Sequence, residues 1–288
     1  MSVAQPTTFV SERQTARREN WRLLRRKPGF IIGILIVAMW LACAILGSRI
    51  APHDPARDLD KKNLSPRGGH WFGTDIIGRD VFSRVIVGAR NILLIAPVAA
   101  GLSIIAGTIL GLLMGYFRGA ADMVLSRIIE TFLALPVVLV GLLALVTFGS
   151  SRVVVIAVVA ILFTPIVTRT VRSAVLAEAD LDYVTSARLR GESSLFIMSR
   201  EILPNISAVI VVEFTIRVGY AIFAVASLSF LGVGVQTGSP DWGTSIADHY
   251  RLMNDKIWWS TLFPALAIMS IVIAVNLIAD SIQSVYQQ

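Results

Sequence analysis

One cysteine, three histidines and four lysines in 288 residues leave little material for several kinds of chemistry. Cys43 stands alone inside an apolar run, so this chain by itself builds neither a disulfide framework nor a thiolate metal site. A small buried hydrophobe is the expected role. His53, His70 and His249 lie in polar connecting segments, and none has another histidine at the i+3 to i+5 spacing of zinc sites. His53-Asp54, beside Pro52 and Pro55, reads as turn chemistry, and no metal ligand is expected. The lysines, Lys27, Lys61, Lys62 and Lys256, follow Arg26, Asp60, Lys61 and Asp255. A phosphate-binding P-loop needs glycine immediately before its lysine, so the chain does not hold ATP in that way. No convergent set of nucleophile, base or metal ligand is legible, and no catalytic residue is expected.

Charge is also scarce, at 16% of residues against 55% hydrophobic, with a mean hydropathy of +0.71. That is too apolar for one soluble core of this length, and lipid is the implied solvent. Crossing a hydrocarbon layer of about 30 Å takes roughly 20 helical residues. Runs of suitable length occur at Phe30–Ser48, Asn91–Phe117, Thr131–Ser151 and Ile257–Ala279. Val153–Thr168 needs only modest extension, and Val218–Val235 becomes a longer span, Ile206–Leu231, that tolerates two charges. The expected fold is all-α and polytopic, with six transmembrane helices and no separate soluble domain. The first 28 residues are polar, and no convincing cleavage site follows Ser48, so the first helix is read as retained.

Arg17, Arg18, Arg22, Arg25, Arg26 and Lys27 precede that helix and place the N-terminus in the cytoplasm. The Pro52–Arg90 loop carries Arg57, Lys61, Lys62, Arg67, Arg79, Arg84 and Arg90, but Asp54, Asp58, Asp60, Asp75 and Asp80 dilute them. Six spans then return the C-terminus to the cytoplasm, and put Val171–Asn205 there with Arg172, Arg188, Arg190 and Arg200. Basic residues beside anionic headgroups account for the pI of about 10.1 without nucleic acid.

Between the apolar runs lies a polar island, Asp182-Tyr183-Val184-Thr185-Ser186-Ala187-Arg188-Leu189-Arg190-Gly191-Glu192-Ser193, continuing to Arg200-Glu201-Ile202-Leu203-Pro204-Asn205. Asp182 or Ser186 is positioned to cap a short helix, and Gly191 to turn the chain at its end. A second segment over Ser193–Ile202 is expected to stop at Pro204, whose predecessor is pushed out of the α region. The resulting helix–turn–helix would lie across the membrane surface and present Tyr183, Ala187, Leu195 and Phe196 with flanking arginines. An amphipathic loop resting in the headgroups is the bland alternative.

These residues resemble the cytoplasmic loop of the membrane subunits of type I ABC importers. Ala187, Gly191, Leu203 and Pro204 match the loop pattern, while Thr185, Ser186 and Glu201 depart from it. The peptide and nickel branch is closer, since there an acid precedes Tyr-Val, and Arg-x-Ile-Leu-Pro-Asn closes the loop. Ala51-Pro52-His53-Asp54-Pro55, Trp71-Phe72-Gly73-Thr74-Asp75-Ile76-Ile77-Gly78-Arg79-Asp80, Gly88-Ala89-Arg90, Ser227-Leu228-Ser229-Phe230-Leu231-Gly232-Val233-Gly234 and Trp242-Gly243 resemble the C-type permeases of dipeptide and oligopeptide importers.

The resemblance implies a type I ABC importer transmembrane domain working by alternating access, which is not itself an enzyme. It implies a second homologous permease in a heterodimer, one fused or two separate ABC ATPase subunits holding ATP and Mg, and an extracytoplasmic solute-binding protein. This chain would bind no cofactor and would sit as a multi-pass protein in a bacterial or archaeal cytoplasmic membrane. Residues 1–28 would form a cytoplasmic segment, 29–50 the first helix, 51–90 an extracytoplasmic loop, and 91–288 a five-helix core with a cytoplasmic coupling loop over 173–205. Asp182, Tyr183, Ala187, Arg188, Gly191, Glu192, Ser193, Leu195, Phe196, Leu203 and Pro204 would form the ATPase-coupling surface. Peptides are the expected substrate class, with nickel, opines or another small solute as alternatives. An ion-coupled secondary transporter fits less well, because the prominent polar signal lies in a loop and not at mid-membrane.

Three further features invite assignment. If the fifth span starts near Asn205, Glu213 lies about 12 Å and Arg217 about 18 Å into the membrane, and they pair or line the translocation path. Gly107, Gly111 and Gly115 present one small face for helix packing, and Pro136, Pro165 and Pro264 are expected to kink their helices. Trp71, Asp75, Asp241 and Trp242 lie in segments facing the delivery side on this topology, and are candidates for binding-protein docking.

Overall fold

The computed structural model describes residues 21–56, 61–234 and 239–286. Arg17, Arg18, Arg57, Asp58, Asp60, Val235 and the final Gln287-Gln288 lie outside the described residues. Among the described residues there is no strand, only two isolated bridges, Arg67 with His70 and Thr74 with Asp80.

Helix α1, Pro28–Ile50, opens on a proline at its first position, where a missing N–H costs nothing. Helix α2, Val81–Phe117, is 37 residues long. At about 1.5 Å per residue it spans roughly 55 Å, well beyond a 30 Å hydrocarbon layer. Its start corrects the expected 51–90 loop. The Asp80 carboxylate accepts from the Ser83 N–H at 2.9 Å and begins the helix at Val81, ten residues ahead of the apolar run.

The expected third span, Thr131–Ser151, is not one helix. Helices α3, Gly119–Leu133, and α4, Val137–Phe148, meet at 89°. Pro136 sits at the break as the N-cap of α4, so the expected kink is a right-angle bend. Helix α5, Arg152–Ala179, runs through Pro165 unbroken and extends well past Thr168, capped at its start by Ser151. Among the described residues, five helices are long and apolar enough to cross a membrane, and the bent pair makes a sixth if counted as one span.

The polar island folds as α6, Asp182–Leu189, then α7, Ser194–Phe196, a π turn over Ile197–Ile202, and α8, Leu203–Asn205. Helix α9, Ser207–Phe230, follows. Helix α10, Trp242–His249, passes into a 3₁₀ turn over Tyr250–Asp255, and α11, Trp259–Tyr286, closes the described fold.

Helices α2 and α5 run side by side in the same direction because the glycine face meets a valine face. A Cβ on Gly107 would lie 2.5 Å from Val167, on Gly111 2.8 Å from Val171, and on Gly115 2.7 Å from Val175. Only glycine permits this approach, the packing mode of close membrane helices. Helix α1 lies antiparallel on α11, with Gly33 beside Ala274 and Ile278 and the Trp40 indole donating to Ser270 Oγ at 2.9 Å. Lys27 likewise donates to Ser284 Oγ. These pairings put the start of α1, the end of α11 and the 180–206 segment at one end of the bundle. The 61–80 and 239–258 segments close the other.

Candidate functional site

The island is seated by its apolar underside. Val184, Ala187, Ile197, Met198, Ile202 and Ile206 are buried against Val167, Val171, Val175 and Ala179 of α5 and Ile104 and Leu112 of α2. Two helical turns therefore rest on the same α2–α5 pair that the glycine ladder locks together. Neither expected cap is used at the start. Leu181 is the N-cap and offers no side-chain bond, Asp182 is the first helical residue, and Ser186 lies inside the helix.

Gly191 makes the turn as expected. Its φ is +77°, the left-handed region that other residues enter at a cost, while nothing lies within 4 Å of where a Cβ would stand. Backbone torsion, and not crowding, demands glycine here. Glu192 N–H donates back to Ala187 O at 3.2 Å and Gly191 N–H to Arg188 O at 3.0 Å, closing the end of α6. Ser193 then caps the next segment through the Phe196 N–H at 3.3 Å.

Pro204 does not stop the second segment. The chain remains helical from 194 to 205, because the preceding turn widens to π geometry, with Leu203 N–H reaching Met198 O. Pro204 sits in the first turn of α8, where its missing donor is tolerated. The two segments are tied by Tyr183, whose hydroxyl donates to Glu178 Oε2 at 2.5 Å and accepts from Asn205 Nδ2 at 2.9 Å. Burial and the Glu178 carboxylate push the Tyr183 phenol up to about 12, so it remains a donor. This contribution to stability is fully present below pH 10, the ordinary tyrosine value, and fades as pH rises through about 12.

The outward face differs from expectation at two residues. Ala187 is fully buried within this chain and presents no surface to a partner, while Tyr183 is half-buried with its hydroxyl engaged by Glu178 and Asn205. Leu195 is 72% exposed and Phe196 40%, as expected, and Leu189, unassigned from sequence, is the most exposed at 85%. Arg188 lies with its guanidinium 5.0 Å from the Tyr116 ring, and Arg190 stands 3.9 Å from Glu192 and 3.8 Å from Glu201. Three large apolar side chains thus stand exposed among charged residues, on a segment whose underside is buried.

At the opposite end, three of the four docking candidates are structural. Asp75 is 1% exposed; one oxygen accepts from Arg79 Nε at 2.7 Å and the other from the Arg79 and Ile77 N–H groups. Trp242 is fully buried, its ring 4.7 Å from Trp40 and its indole donating to Val85 O at 2.8 Å. Asp241 caps α10 through Thr244 N–H at 2.9 Å, and burial raises its carboxyl above the ordinary aspartate value against the lowering bonds from Thr244. Only Trp71, at 64%, faces outward. The Gly-Thr-Asp and Gly-Arg-Asp residues thus build a folded plug. Thr74 accepts the Trp259 indole at its carbonyl and binds Lys61 O and Leu64 N–H through its hydroxyl, and Arg84 Nη1 donates to Pro55 O at 3.0 Å.

Glu213 and Arg217 pair at 2.9 Å, as an ion pair without the alignment of a hydrogen bond. Both are buried within this chain, and the guanidinium lies over the rings of Phe163 and Tyr220 at 5.9 and 4.9 Å. The histidines hold a feature that linear spacing hides. His53 and His70, 17 positions apart, lie with ring centres 4.7 Å apart and planes tilted by 31°, beside Asp80.

Residues 107–288 match the family described as "Binding-protein-dependent transport system inner membrane component", and residues 15–66 match "N-terminal TM domain of oligopeptide transport permease C". The chain is 35% identical over 273 residues to the di/tripeptide transport system permease protein DppC of Pseudomonas aeruginosa, covering 92% of this chain and 90% of that protein. It is 37% identical over 282 residues to the glutathione transport system permease protein GsiD of Escherichia coli, covering 97% and 93%. The dipeptide transport system permease protein DppC of Bacillus subtilis is 34% identical, with coverage of 92% and 83%.

Proposed function

The chain belongs to the binding-protein-dependent transport system inner membrane component family, and from that membership we propose that it forms one wall of an importer of di- and oligopeptides. It is a multi-pass permease subunit of an ABC importer, and ATP hydrolysis belongs to a separate subunit. The relatives are named for dipeptides, tripeptides and glutathione, itself a tripeptide, which favours short peptides over nickel or opines. A secondary transporter would have no need of a docking platform.

One observation carries the mechanistic reading: Leu189, Leu195 and Phe196 stand exposed on a base that is buried against α2 and α5. Seated in a groove of an ATPase, this patch would receive the movement of the ATPase pair when ATP, with Mg, draws the pair together. The rigid underside would pass it to the long helices, whose glycine–valine interlock moves them as one body. A second, homologous permease would supply the other wall and make a heterodimer, and a solute-binding protein would deliver the peptide at the opposite end. The basic residues Arg22, Arg25, Arg26 and Lys27 lie at the same end as the 180–206 segment, which supports cytoplasmic placement of both termini and of the patch.

The test is purification of the tagged chain from its native membrane in mild detergent, with mass spectrometry of what accompanies it, followed by uptake of a labelled dipeptide into proteoliposomes. An ATPase, a second permease and a binding protein should co-purify, and uptake should require ATP. A chain that emerges alone and transports without ATP would refute the reading.

A further inference from the structure

Three short segments converge where α1 ends and α2 begins. His53 follows α1 by three residues, His70 lies on the tight Arg67–His70 turn, and Asp80 is the cap of α2. His70 Nδ1 stands 2.9 Å from Asp80 Oδ1, and His53 Nδ1 3.8 Å from Asp80 Oδ2. One donor atom from each of the three residues falls within 4.8 Å of the other two. Ligand atoms about 2.0–2.1 Å from a tetrahedral metal lie roughly 3.3–3.4 Å apart, a value these contacts bracket.

Two details separate the cluster from an ordinary histidine–carboxylate pair. His53 Nδ1 is buried, yet makes no hydrogen bond, with Asp80 Oδ2 left 3.8 Å away. The Asp80 carboxylate is already oriented by outer contacts, with Oδ2 accepting from Ser83 N–H at 2.9 Å and Ser83 Oγ at 2.7 Å. Metal-binding carboxylates are held in this way by a second layer of hydrogen bonds. The His53 side chain is 35% exposed and the His70 side chain 17%, which leaves a side of the cluster open to solvent.

We propose that His53, His70 and Asp80 form a binding site for a divalent transition metal of the zinc class, pinning the segment after α1 and the 67–80 turn to the head of α2. Two imidazoles and one carboxylate suit zinc, and the open side leaves a fourth position for water. On binding, the metal takes the place of the proton between His70 Nδ1 and Asp80 Oδ1, and the neutral imidazole carries its one proton on Nε2 instead, exchanged through solvent, while Asp80 binds as the carboxylate. His53 Nδ1 supplies the third bond. The site lies at the end of the bundle opposite the ATPase-coupling patch, so its metal would come from the delivery side and act on the plug beneath the exposed Trp71.

The experiment uses the assembled permease complex, carrying an affinity tag without histidine, stripped with chelator and then titrated with Zn²⁺ alone. Bound metal is read by elemental analysis after gel filtration. One zinc per copy of this chain should be retained, and Co²⁺ in its place should give the intense visible bands of a four-coordinate ion. His53→Gln removes a ligand that makes no side-chain hydrogen bond in the fold, so the variant should assemble normally and bind zinc at least about tenfold more weakly. His70→Gln should do the same. Asp80→Asn keeps a cap-forming side chain and should also lose the cobalt bands. Wild-type complex that retains no zinc, or His53→Gln complex that retains as much as wild type, would overturn the proposal. Peptide uptake by the same preparations is read separately, so a failed metal site leaves the transport assignment standing.

Discussion

At Glu213 the chain places a carboxylate in the second turn of an apolar helix, and the compensation is local. Arg217, one turn on, pairs with it, and the guanidinium spreads over Phe163 and Tyr220. Both side chains are buried in this chain without any partner subunit, which favours a structural pair over path-lining residues. Removing one member leaves an uncompensated charge, so Glu213→Gln should destabilise the chain by about 3–5 kcal/mol, measured as a fall in thermal stability in detergent. Combining it with Arg217→Met should recover part of the loss. Unchanged stability with altered peptide selectivity would instead assign the pair to the path. The i,i+4 spacing was legible in the sequence, but the aromatic cover from α5 depends on which helix lies alongside.

Element geometry decides the behaviour of the α2–α5 pair and of the turn at Gly191. Gly111 admits Val171 so closely that a side chain has nowhere to go. Gly111→Leu should cost about 1–3 kcal/mol through overpacking and lower the yield of assembled complex. Gly101→Leu, on the same helix with nothing within 4 Å, should leave the stability of the chain unchanged and serves as the control. At Gly191 the constraint is torsional. Proline fixes φ near −65°, against +77° here, so Gly191→Pro should leave membrane insertion intact while uncoupling ATP hydrolysis from peptide uptake. Gly191→Ala, which pays about 1–2 kcal/mol to enter the left-handed region, should retain more coupling. Normal uptake by well-expressed Gly191→Pro protein would remove the turn from the mechanism.

Across the whole molecule, one end carries the exposed leucine patch and the other a folded plug, joined by helices that interlock. Leu195→Asp alters a side chain that is 72% exposed, so the isolated chain should fold as before while ATPase association falls and uptake is lost. Retained association in pull-down would dismiss the patch as the docking surface. Much of this organisation was legible in the sequence, because lipid permits only helices with satisfied backbones and so turns long apolar runs directly into spans. The polar island, the turn at Gly191 and the small face of α2 follow from composition and spacing for the same reason: each is a local property. Other features required the tertiary structure. The third span breaks at Pro136, Ala187 is buried, the Tyr183 hydroxyl ties two segments of its own chain together, and Asp75, Asp241 and Trp242 are buried supports instead of docking residues. Only packing decides which face of a short amphipathic segment is covered, and which polar loop residues are folded under it. The meeting of His53, His70 and Asp80 is of that kind, since it arises from three segments brought together where two long helices end.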